Sequence, residues 1–247
     1  MVTDTNPKNQ PRVGGIIVMA LLGFVLGQVV ASLLDAAFVS AAHFPGGMTA
    51  LAGASEPPWW SNVAGLAGLW IGFGVAIYLA HHRGGLEPLA DAWRPRRFDA
   101  AFLIVGVGLQ IVVGLAYLPF HFKNMNKPVD HLFGSAHGAT FALLAVMTVV
   151  GAPLVEEWLF RGVVFRALDA GLSPRWGRNG TVAAVVASAL IFAVAHAEWL
   201  QLPGLFFLGV VLAVIVIRTQ RLLPAMLTHV GFNALTMASL ISQRLHH

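Results

Sequence analysis

The sequence contains no cysteine, few charges and none of the signatures of the soluble hydrolases. Without cysteine there is no disulfide, no thiolate metal site and no cysteine nucleophile. Charged residues make up only 11% of the chain against 57% hydrophobic, with a mean hydropathy of +0.74, which excludes an ordinary soluble globular domain. Neither Gly-x-Ser-x-Gly nor His-Glu-x-x-His occurs, so a nucleophile elbow and a helical two-histidine zinc motif are both ruled out. No internal repeat or low-complexity segment is present. The sequence pI near 10.1 does not call for a nucleic-acid partner, because the basic residues lie between apolar segments, where they encode topology.

What is present is a series of apolar runs long enough to cross a membrane. Seven are read, over residues 14–42, 61–80, 100–119, 138–165, 181–197, 204–217 and 223–241. The first is too long for a signal-peptide core and is read as a retained span. Trp59 and Trp60 anchor the start of the second at the interface, and Pro153 is expected to kink the fourth. The fold class is therefore an all-α polytopic membrane protein of about seven transmembrane helices, with the last four forming a bundle around a polar cavity. Of the 15 Lys and Arg residues, all but Lys123, Lys127 and Arg244 fall on one side of the alternating connections. This split puts the N-terminus in the cytoplasm and, with seven spans, the C-terminus outside.

The fourth span carries the most informative stretch, Gly151-Ala-Pro-Leu-Val-Glu-Glu-Trp-Leu-Phe-Arg-Gly162. An acidic side chain in such a setting costs about 2.5–3.5 kcal/mol even on lenient insertion scales. Glu157 and Arg161 are spaced i to i+4 with the acid first, the better orientation for a helical ion pair. Glu156 lies about 100° round the helix and has no local counter-charge. Three more polar groups occupy later spans: His196 closes span five, and His229 and Asn233 share one face of span seven. Ionisable groups inside membrane helices mark functional sites by default. Together they permit hydrolysis. A carboxylate in a water-poor pocket has its pKa raised towards neutrality and takes a proton from water. An imidazole can orient that water, and a second imidazole with an amide can hold the developing oxyanion.

Glu156-Glu157-x-x-x-Arg161, Phe192-x-x-x-His196 and His229-x-x-x-Asn233, in this order, resemble the CAAX protease and bacteriocin-processing (CPBP) family, which includes the type II CAAX prenyl endopeptidases and bacterial Abi proteins. The resemblance covers about 138–241; spans one to three carry no recognised motif. It implies an intramembrane endopeptidase with Glu156 and His196 activating water and His229 and Asn233 holding the oxyanion. Glu157 and Arg161 would be the supporting pair and Phe192 a packing residue. The implied organisation is a cytoplasmic tail (1–13), accessory spans (14–137), a catalytic core (138–242) and a short tail (243–247). The implied partners are membrane lipids and a membrane-associated peptide or protein, prenylated or not, with no nucleic acid, in a bacterial cytoplasmic membrane.

No cofactor is expected; the alternative is zinc held by Glu156, His196 and His229. Two other classes compete, a proton-coupled transporter and a catalytically silent immunity or binding protein. The absence of repeat symmetry argues against the first. His43, His121, His131, His137 and the pair His81-His82 are assigned to loops or span ends. Glu198 is read as a loop carboxylate with reach to the cavity mouth. Depth poses one conflict. His229 lies roughly 10 Å in from Arg221, whereas His196 is roughly 24 Å from Gly180, both at a 1.5 Å rise per residue.

Overall fold

The computed structural model describes residues 12–122 and 127–245. Lys8, Lys123, His246 and His247 lie outside these, as does most of the expected N-terminal tail. Every regular element among the described residues is helical. The helices are α1 (Val13–Ala41), α2 (Gly47–Ala52), α3 (Trp59–His82), α4 (Ala101–Tyr117), α5 (Lys127–Phe133), α6 (Gly138–Trp176), α7 (Arg178–Ala195), α8 (Leu202–Thr219) and α9 (Leu223–Leu245). Seven of them are long and apolar enough to cross a membrane. The protein is an integral multi-pass membrane protein, and the short α2 and α5 lie in connections.

The largest departure from the sequence reading is the length of α6. The apolar run ends at Phe165, but the helix continues to Trp176. Arg166 and Arg175 are therefore helical residues rather than parts of a connection. Leu168 and Leu172 keep the helix going because they pack on Ala184, Val185 and Ala213 of the neighbouring helices. The turn to α7 is made at Gly177, whose φ of 53° and ψ of −132° suit only a residue without a Cβ.

Packing fixes the walls of the bundle. α1 lies along α3, and α6 to α9 surround a core centred on Phe160, Val163, Phe192, Leu208 and Leu212. α4 joins them as a further wall by pressing directly on α9. A Cβ at Gly106 would collide with the Thr228 carbonyl, and one at Gly231 with Leu103 backbone, so two glycines allow this close crossing.

The two ends of the bundle differ. At one end the connections are tied together. Leu222 and Leu223 N–H donate to the Ala92 carbonyl, Arg166 donates to the Glu87 carbonyl, and Arg221 pairs with Asp99. Arg221 is thus a buried packing residue, not a marker of the membrane surface. At the other end Arg244 donates to the carbonyls of Phe133 and Ala136, holding α5 across a wide cavity.

Candidate active site

The local shape of α6 follows from a proline. Pro153 has no N–H and cannot donate to the preceding turn. The helix responds with a π-helical turn at Met147–Gly151, in which Ala152 N–H donates to Met147 rather than to Thr148. The Thr148 carbonyl is then left without a donor inside its helix. Asn233 of α9 supplies one, its Nδ2 lying 3.1 Å away. The expected kink is thus a widened turn in a continuous helix, and it couples α6 to α9. A second π-helical segment, Glu157–Phe165, begins at the acidic pair.

Six of the seven sequence-predicted residues are joined by contacts around one point, and Asn233 lines the same cavity. Glu156 Oε2 is 4.0 Å from His196 Nε2 and 3.9 Å from His229 Nε2. Each imidazole is fixed through its other nitrogen. His196 Nδ1 donates to the Phe192 carbonyl at 2.8 Å, one turn back in α7. His229 Nδ1 donates to Glu157 Oε1 at 3.0 Å. In the neutral form both rings therefore turn their Nε2 lone pairs towards Glu156. Glu157 Oε1 also receives Arg161 at 2.9 Å, as the i to i+4 spacing predicts. Its bond to His229 is the addition: Glu157 serves the second imidazole as well as the arginine.

Arg161 and Phe192 form the floor. Arg161 is only 1% exposed, donates to the Gly209 carbonyl and lies over the Phe192 ring at 4.2 Å from its centroid. Phe192 is fully buried and meets both imidazoles edge-on, with centroids 4.7 Å from His196 and 5.7 Å from His229. Leaving one member of such a buried set unpaired is costly, so the geometry is held by several mutually dependent contacts.

The depth conflict resolves through the extended α6. Glu156 lies about twenty residues before the Gly177 turn and His196 about twenty after it, so each stands roughly 30 Å from that turn. The two residues are level because each stands nearly the same number of helical turns from Gly177.

The cavity they line measures about 1130 Å³. Its walls include residues that carried no sequence signal. Gln110 of α4 donates to Thr236 Oγ1 at 2.9 Å, while its Oε1 and the Thr148 hydroxyl are buried without a partner. Tyr117 accepts the Gly204 N–H through its hydroxyl. The one available clue was that Gln110 is the single amide in an otherwise apolar span. Glu198 and His131 line the mouth. His121 and His137 instead face carbonyls of nearby loop residues, and His81 faces that of Leu86.

Residues 138–235 match the family described as type II CAAX prenyl endopeptidase, Rce1-like. Over 86 residues the chain is 34% identical to the membrane-embedded CAAX protease MroQ of Staphylococcus aureus (strain USA300), a stretch covering 34% of this chain and 33% of that protein. The shared segment thus spans about a third of the relative's length. No solved structure matches. All three motif segments fall within residues 138–235, and it is over this part that the chain is similar to the Rce1-like family.

Proposed function

We propose that this protein is an intramembrane endopeptidase that hydrolyses a peptide bond in a membrane-associated polypeptide with water activated by Glu156 and His196. The observation that carries this reading is the convergence of two imidazole Nε2 atoms on a single carboxylate oxygen, each ring anchored through Nδ1. A water between Glu156 and His196 would donate one hydrogen to the carboxylate and one to the Nε2 lone pair, leaving its oxygen free to attack. Glu156 takes the proton as the new C–O bond forms, then passes it to the leaving amine as the C–N bond breaks. His229, protonated at Nε2 with Glu157 as its counter-charge, and the second amide hydrogen of Asn233 would stabilise the oxyanion. One such donor contributes about 3 kcal/mol.

Zinc held by Glu156, His196 and His229 is the alternative to this scheme. Their facing atoms stand 3.9 and 4.0 Å from Glu156 Oε2, and no three His, Cys, Asp or Glu among the described residues gather closely enough to hold a metal ion. Ligand atoms about 2 Å from a tetrahedral zinc lie roughly 3.4 Å from one another, so this set would have to draw together before it could hold the ion. Comparing protein N-termini between cells carrying the wild type and Glu156→Gln tests the activity. Termini present only with the wild type are expected, in membrane-associated proteins. Identical profiles would instead leave a carrier or binding role.

A further inference from the structure

We propose that the cavity opens on the non-cytoplasmic face of the membrane, so that its substrates are polypeptides whose scissile segment emerges from the bilayer on that face. That these polypeptides are cleaved rests on the endopeptidase reading; the opening rests on charge and geometry alone.

The cationic connections all lie at one end of the bundle. Arg161 and Arg221 leave the charge count because each is buried beside a carboxylate, Glu157 and Asp99. Among the described residues, nine of the remaining Lys and Arg still belong to that end, at Arg12 and in 83–97, 166–178 and 218, against Lys127 and Arg244 at the other. Short connections rich in Lys and Arg remain in the cytoplasm. The cationic end is also the tied one, closed by the contacts among Ala92, Leu222, Glu87, Arg166, Asp99 and Arg221.

The cavity leads the opposite way. Its polar mouth is formed by Glu56, Lys127, Asp130, His131 and Glu198, which come from the connections after α1, α4 and α7. From there it runs inward past Tyr117, Gly114 and Gln110 to Glu156 and the two imidazoles. Exposed aromatic side chains lie at the same end: Trp199 at 76% exposure, Phe120 at 64% and Trp59 at 36%. Such residues settle at the membrane–water interface, which puts the mouth at the outer interface rather than in bulk water. A chain segment leaving the bilayer there enters the cavity directly. A lipidated C-terminal tail displayed in the cytoplasm, as prenylation motifs are, would meet the sealed end.

The absence of native cysteine allows a direct test with three single-cysteine variants. Ser55→Cys probes the mouth, Gly114→Cys the cavity wall, where no atom lies within 4 Å of an added Cβ, and Asn179→Cys the cationic end. Intact bacterial cells producing each variant are treated with a small membrane-impermeant methanethiosulfonate. Ser55→Cys and Gly114→Cys are expected to react at least tenfold faster than Asn179→Cys, which gains reactivity only after permeabilisation. The reverse pattern would overturn the orientation. Reaction at Ser55→Cys with none at Gly114→Cys would overturn the opening. The labelling does not need turnover: the same pattern in a Glu156→Gln background without any detectable proteolysis would sink the peptidase reading and leave the opening intact.

Discussion

Glu157 Oε1 accepts from Arg161 and from His229 Nδ1, whereas its neighbour Glu156 faces two Nε2 atoms across about 4 Å. The two carboxylates should therefore fail differently. Glu156→Gln is expected to abolish turnover with little change in thermal unfolding in detergent, since the amide is isosteric and no buried ion pair is broken. Glu157→Gln removes the counter-charge of a buried arginine, a loss of about 3–5 kcal/mol, which should appear as a much lower unfolding temperature. Exchanging the charges, Glu157→Arg with Arg161→Glu, should recover part of that stability. It should not recover activity, because His229 would then face an arginine instead of its carboxylate acceptor. Unfolding and cleavage measured on the three proteins check both statements. The Glu157–Arg161 pair was legible in the sequence because helical spacing imposes it. The bond to His229 was not, since it joins residues 72 positions apart and depends on how α9 is rotated against α6.

In α6 one missing N–H propagates across the bundle. Pro153 denies Thr148 a donor, and Asn233 replaces it. Asn233→Ala should cost about 1–3 kcal/mol by stranding that carbonyl. Restoring a backbone donor with Pro153→Ala should lower this cost, giving a favourable coupling in a double-mutant cycle of thermal or denaturant stability. Strict additivity would mean that the proline and the asparagine do not communicate. Hydropathy located the helix but cut it at Phe165, just before Arg166 and Asp169. The stripe of Leu168 and Leu172 that carries it on to Trp176 is too sparse to score as membrane-spanning, yet it packs against α7 and α8. The same extension accounts for Glu156 and His196 lying at one depth.

Across the whole molecule, seven apolar segments and their alternating charges were readable because hydrocarbon thickness and topology act on composition. The contribution of α4 was not readable, because close approach through Gly106 and Gly231 shows only once α4 and α9 are docked. That docking brings Gln110 to the cavity and completes a site whose donors are carboxylate, imidazole and amide. Such a site should work without a bound metal, and purified protein should carry far less than one zinc per chain by elemental analysis. The account is tested most directly by following cleavage of membrane-embedded peptides by the purified protein in lipid vesicles, with a strong chelator present. Wild type is expected to keep its full rate under chelation and Glu156→Gln to show none. A wild-type rate that falls to background with chelator and returns with zinc, or a Glu156→Gln protein that still cleaves, would contradict it.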